Sequence, residues 1–173
     1  MSWPLHLISR SVEETRALAA RLAALCGAGD VVLLVGDLGA GKTAFAQGFA
    51  AALGVEGPVT SPTFALVRHY RCGEGSPVRA LIHADVYRTE SVAEVADLAL
   101  AELVEEDAVA LVEWGDRAAL AFDESTLVVT LDVPDPLGAP AERAVTVTGR
   151  GRWTSRADEV AAALEPVRGS GAR

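Results

Sequence analysis

The chain contains no asparagine, a single lysine and only two cysteines among its 173 residues. Two cysteines, Cys26 and Cys72, exclude a disulfide framework and a cysteine-rich zinc site. No apolar run reaches the roughly 18 residues that a membrane span needs, so none is expected. The start, Met1-Ser2-Trp3-Pro4-Leu5-His6, lacks a basic stretch leading into an apolar one. No secretory signal is expected, and a reducing cytoplasm is the default location. No internal repeat is visible. Hydrophobic residues make up 50% and charged residues 23%, the balance of a folded globular chain and not of a disordered one. At roughly 100–200 residues per domain, one domain is expected. It is taken as residues 1–165, with 166–173 as a flexible tail.

Basic charge is scarce too. Twenty-four acids oppose fifteen bases, for a net charge of −9. Such a surface repels a phosphate backbone at long range, so no DNA partner is expected. Any basic surface for RNA would have to come from a local basic patch or from a partner protein. Of the fifteen bases, only Lys42 is not arginine. A solitary lysine marks a position where a compact ammonium on a flexible stem serves and a planar guanidinium does not.

The pattern of what is present is that of an α/β chain. Ser11 and Glu14 read as a capping box opening a helix, with Val12, Thr15, Leu18, Ala19, Leu22 and Leu25 on one face. Gly27 and Gly29 end it. Val31 to Val35 is a continuous apolar run, the mark of a parallel strand covered on both faces. A glycine-rich turn follows, then a helix from Lys42 to Leu53. Phe64–Tyr70 and Val78–His83 read as a hairpin turned at Gly73-Glu74-Gly75-Ser76-Pro77. Val92–Glu105 reads as a helix and Val109–Val112 as a buried strand. Thr126–Val133 and Ala144–Thr148 read as antiparallel neighbours, and Ser155–Leu164 as a short outer helix. The expected architecture is a central mixed β-sheet flanked by helices, with antiparallel additions.

Gly36-Asp37-Leu38-Gly39-Ala40-Gly41-Lys42-Thr43 is a complete P-loop, glycine and four residues before Gly-Lys-Thr. It has the required setting, with an apolar strand before it and a helix after it. Its glycines let backbone N–H groups converge on phosphate oxygens, and the helix adds its positive end. Lys42 is placed to reach the β- and γ-phosphates, and Thr43 to offer its hydroxyl to Mg²⁺. The fold expected from this motif is that of a P-loop NTPase. A phosphate-bound Mg²⁺ also needs a carboxylate at the end of a buried strand. Asp85 after Ala80–Ala84 and Glu113 after Val109–Val112 both qualify, and at least one is expected to hold the metal, directly or through water.

Other residues stay open on this reading. Thr60-Ser61-Pro62-Thr63 is either a sensor of the γ-phosphate or a proline-fixed polar turn. Trp114 stacks on a base or a partner, or is a buried edge tryptophan. His83 is expected to be structural or to support the site, since three scattered histidines make no metal cluster. Arg88 stands near Asp85 and either holds it or faces a phosphate.

Without asparagine, the Asn-Lys-x-Asp guanine motif of ordinary GTPases is absent, which leaves ATP as the expected nucleotide. Two alternatives to an ATPase are a P-loop small-molecule kinase and a nucleotide-sensing module without turnover. A kinase would use ATP only with a metabolite acceptor, and no arginine-bearing lid or acceptor cluster is visible. A sensor would bind ATP saturably without turning it over.

Four linked segments are similar to the TsaE (YjeE) family of tRNA threonylcarbamoyladenosine synthesis. They are the P-loop with Gly48 after it, Val59-Thr60-Ser61-Pro62-Thr63-Phe64, His83-Ala84-Asp85-Val86-Tyr87-Arg88, and Val112-Glu113-Trp114. The resemblance implies an ATP- and Mg²⁺-using protein, weakly hydrolytic alone. It would act with TsaD and TsaB to form threonylcarbamoyl on N6 of adenosine 37 in tRNAs reading ANN codons, meeting the tRNA through that complex. It further implies that Lys42 and the loop over Asp37, Leu38, Gly39, Ala40, Gly41, Thr43 and Ala44 hold the phosphates. Trp114 would lie beside the nucleotide. Thr43 and Glu113 would face Mg²⁺, with Asp85 a catalytic, water-positioning or metal-side carboxylate. One departure is local: the family often has Pro-Glu after the tryptophan, where this chain has Gly115-Asp116.

Overall fold

The computed structural model describes residues 2–62, 67–87, 107–114 and 126–169. Seven strands form one sheet. In chain order the elements are β1 (Leu5–Ser9), α1 (Val12–Ala23), β2 (Val31–Val35), α2 (Lys42–Ala52), β3 (Val67–Arg71), β4 (Ala80–Asp85), β5 (Ala108–Glu113), β6 (Thr126–Asp132), β7 (Arg143–Gly149), a 3₁₀ turn (Gly151–Arg156) and α3 (Ala157–Gly169). The strand order is β1-β7-β6-β2-β5-β4-β3. β6, β2, β5 and β4 run parallel, and β1, β7 and β3 add antiparallel edges. This is the mixed sheet with antiparallel additions that the sequence implies.

The central strands are apolar because both their faces are buried. β2 alternates Val32 and Leu34 into one core with Val31 and Leu33 into another. The larger core joins the sheet to α1, α2 and α3 through Leu18, Leu22, Phe45, Phe49 and Val160. The Phe45 and Phe49 rings stack at 6.2 Å, one helical turn apart. α1 and α2 pack so closely at Gly48 that a Cβ there would lie 2.5 Å from Arg16 Cα.

Helix α1 opens as its sequence suggests. Ser11 Oγ accepts from Glu14 N at 3.1 Å, while Glu14 Oε2 reaches past the cap to accept from Arg10 N at 2.7 Å. Val12 lies in the exposed first turn, and Leu25 is only partly buried. The second hairpin strand begins later than the sequence suggests, at Ala80, and runs on to Asp85, while the first is described from Val67. Residues 64–66 and the helix expected over Val92–Glu105 lie outside the described residues. α3 begins at Ala157, after the 3₁₀ turn, and its backbone continues to Gly169.

Strand β1 has no counterpart among the elements expected from sequence. Leu5, Leu7 and Ser9 face inward while His6 and Ile8 face out. At the other end of the sheet from the P-loop, Asp30 is fully buried. It accepts from Gly27 N and Trp153 Nε1, each at 2.8 Å, and pairs with Arg152. This satisfied carboxylate pins the 3₁₀ turn to the start of β2. No described helix is long and apolar enough to cross a membrane.

Candidate functional site

The parallel strands β2, β5 and β4 point their C-terminal ends at one cavity of about 410 Å³. Ligands collect at that end in open α/β sheets because the loops leaving the strands diverge there. The P-loop leaves β2, Trp114 follows β5, and Tyr87 follows β4. Leu38, Gly39, Gly41, Lys42 and Thr43 line the cavity from one side, facing Ser61, Asp85, Tyr87, Glu113 and Trp114.

The contrast between α1 and α2 identifies the anion end. α1 is capped by Ser11 and carries Glu13 and Glu14 in its first turn, which complements its dipole internally. α2 has Gly41 as its cap residue, no side-chain cap bond and no acid in its first turn. Gly41 adopts φ 106°, a left-handed turn that a Cβ would oppose. Among the described residues the helix N-terminus thus lacks a side-chain cap, the arrangement that suits an anionic ligand.

Lys42 is buried, with 6% exposure. Its Nζ donates to the Gly36 and Asp37 carbonyls at 2.7 and 2.9 Å. It also lies 4.1 Å from the centre of the Trp114 ring. The loop thus wraps its own ammonium. Trp114 adopts φ 61°, a strained conformation for an aromatic residue. Its ring packs on Tyr87 at 4.7 Å.

The two carboxylates stand side by side. Asp85 and Glu113 are register partners at the ends of β4 and β5, and both are buried. Asp85 Oδ1 accepts from Tyr87 N at 2.9 Å, and Oδ2 accepts from Ser61 Oγ at 3.1 Å. Glu113 Oε1 accepts from His83 Nε2 at 2.9 Å. His83 Nδ1 has no hydrogen-bond partner among the described residues. His83 therefore acts on the site through Glu113. Together with the exposed Thr43 hydroxyl, these carboxylates form an all-oxygen donor set, which suits Mg²⁺ and not a softer metal. Among the described residues, no cluster of three or more His, Cys, Asp or Glu side chains forms a protein-only metal cage. The donor set fits a metal that arrives with phosphate oxygens.

Of the residues singled out from sequence, Lys42, Thr43, Asp85, Glu113 and Trp114 meet at this one cavity. Asp37, Ala40 and Ala44 belong to the loop or first helical turn but do not line it. Ser61 joins the site through Asp85, whereas Thr60 accepts from Arg68 Nη1 at 3.1 Å. Thr63, Phe64, Arg88, Gly115 and Asp116 lie outside the described residues. Two contributors have no role assigned from the sequence, Tyr87 being named only as part of the His83–Arg88 segment. Tyr87 backs Trp114, and Arg143 donates to the P-loop carbonyl of Ala40 at 2.7 Å from 103 residues away.

Known proteins are similar to this chain over most of its length. The family profile described as threonylcarbamoyl adenosine biosynthesis protein TsaE matches residues 9–136. The tRNA threonylcarbamoyladenosine biosynthesis protein TsaE of Streptomyces coelicolor is 43% identical over 143 residues, covering 81% of this chain and 94% of the relative. The protein of that name from Bacillus subtilis is 42% identical over 139 residues, covering 80% and 82%. The crystal structure of Bacillus subtilis YdiB superposes with a TM-score of 0.73 at 32% identity, covering 94% of this chain and 97% of that one. A profile match that takes in the P-loop, both carboxylates and Trp114, joined to relatives alike along nearly their whole length, makes this chain a member of the TsaE family.

Proposed function

We propose that this chain is a Mg²⁺-dependent ATPase required to form threonylcarbamoyladenosine in tRNA, working in the cytoplasm with TsaD and TsaB. The observation that carries this reading is the convergence of Lys42, Thr43, Asp85 and Glu113 on one cavity at an uncapped helix N-terminus. The relatives' names supply the process.

Each side chain has a role in this reading. The Lys42 ammonium leaves the Gly36 and Asp37 carbonyls and takes up β- and γ-phosphate oxygens. P-loop amides over residues 37–44 surround the phosphates, and Trp114 lies beside the nucleotide. Mg²⁺, when bound, neutralises charge developing on the transferred phosphoryl group. Thr43 and Glu113 face it, with His83 keeping the Glu113 carboxylate oriented. Asp85 orients the attacking water in line with the γ-phosphorus, or a water on the metal side. Ser61 connects the 60–63 loop to that carboxylate, so ordering the loop on a partner would align the water. The net charge of −9 agrees with a protein that leaves direct grip on tRNA to its partners.

The test is ADP release from Mg-ATP by the purified chain, alone and with TsaD–TsaB. Turnover that rises with the partners and disappears in Lys42→Ala is expected. Saturable ATP binding without turnover, even with partners present, would replace the reading by a nucleotide sensor.

A further inference from the structure

We propose that Arg143 is a positioning residue of the nucleotide site, holding the crest of the P-loop in its binding shape. The inference rests on the nucleotide reading above and adds a residue from β7, two strands across the sheet from β2. Arg143 opens β7. Its Nε donates to Ala40 O at 2.7 Å, and Nη2 donates to Gly39 O at 3.2 Å. One edge of the guanidinium thus grips two consecutive loop carbonyls. Nη1 donates to Pro140 O and Glu142 O at 2.7 and 2.8 Å, in the β6–β7 turn. The planar fork joins loop and turn in a way that a lysine's single ammonium does not reproduce.

The grip has a direction. In a trans peptide the N–H points opposite its C=O. Holding Ala40 O toward Arg143 therefore turns the Gly41 N–H to the other side of the loop, where Gly41 lines the cavity. Outward carbonyls and inward amides are what an anion needs from this loop. Arg143 makes no ion pair with a carboxylate among the described residues. The neighbouring Glu142 pairs instead with Arg10, at 3.9 Å. The guanidinium charge therefore remains behind the loop, where it adds to the field on a bound phosphate.

Arg143→Ala and Arg10→Ala are compared with wild type. Arg10→Ala disturbs the same turn without touching the loop. The readouts are hydrogen exchange of the peptide over residues 36–44 in the ligand-free protein, and calorimetric binding of Mg-ATP. Arg143→Ala should speed loop exchange and weaken binding about tenfold, the scale of a lost charge-assisted pair of bonds. Arg10→Ala should do neither. If Arg143→Ala does not fold, Arg143→Lys, which keeps the charge and loses the fork, is read the same way. Wild-type loop exchange and affinity in a folded Arg143 variant, or equal effects from Arg10→Ala, would overturn the proposal. Wild-type protein that binds no Mg-ATP would overturn the nucleotide reading and this role with it. Binding by wild type and variant alike would overturn this role alone.

Discussion

The Lys42 ammonium rests 4.1 Å from the centre of the Trp114 ring while bonded to the Gly36 and Asp37 carbonyls. The protein's one lysine is thus folded onto its own loop, under an indole held at φ 61°. A phosphate that claims the ammonium must break this arrangement. Adding Mg-ATP should change tryptophan emission, and the change should vanish in Trp114→Phe while Trp3 and Trp153 remain. An unaltered response in Trp114→Phe would show that the ammonium stays where it is.

On the proposed function, Lys42→Ala removes the charge that would meet the phosphates. Hydrogen bonds to charged groups contribute about 1.5–3 kcal/mol each, so Mg-ATP affinity should fall roughly 10–100-fold. Calorimetry on a variant with wild-type circular dichroism measures this. Affinity equal to wild type would remove Lys42 from the binding site.

Asp85→Asn keeps the size of the side chain and removes its charge. Its amide oxygen can keep accepting from the Tyr87 N–H, while its NH2 group can donate to Ser61 Oγ in place of accepting from it. Nucleotide affinity should change little, whereas ADP release should drop by about 10²-fold or more, the usual contribution of a positioned general base or water-orienting group. Undiminished turnover would exclude Asp85 from the chemistry.

Gly48→Ala tests the packing of α2 on α1. The added methyl would meet the Arg16 backbone, which cannot step aside as a side-chain tip would. A loss of about 1–3 kcal/mol in urea unfolding is expected despite the better helix propensity of alanine. A gain in stability would mean that the helices separate freely.

The two thiols should differ in reactivity. Burial pushes the Cys26 thiol far up, with the Asp30 carboxylate adding to the shift. Burial raises Cys72 too, but that residue is only partly covered. A thiol reagent at pH 8 should label Cys72 in the folded protein and Cys26 only after denaturant is added. Mass spectrometry of the labelled peptides reports the order directly.

What could be read from the sequence was local. The strand-loop-helix around Lys42 announces itself because every part of it lies within about one βα unit. Asp85 and Glu113 were legible as acids ending apolar runs, and the register of β4 on β5 then makes them neighbours. Strand β1 was hidden by a reversed pattern. Ile8 faces out at 39% exposure, while Ser9 faces in, its hydroxyl 2.7 Å from that of Thr15. A reader counting apolar alternation sees Leu, Leu and Ile and finds no consistent face. Arg143 was hidden for another reason: its meaning lies in carbonyls brought beside it by the β6–β7 pairing. The His83–Glu113 bond was legible only as a supporting role, because two residues 30 apart meet through strand register.

The placement of β7 between β6 and β1 also governs how the molecule is completed as it is made. Of the seven described strands β1 is made first, yet its partner β7 is made last. Until then Leu5 and Leu7 have no sheet edge to dock on, and contacts so distant in sequence form slowly. Most of the P-loop's surroundings can assemble earlier, from β2, β5, β4 and α2. The arrival of β7 then pairs β6 on one side and β1 on the other, and brings Arg143 to the loop in the same step.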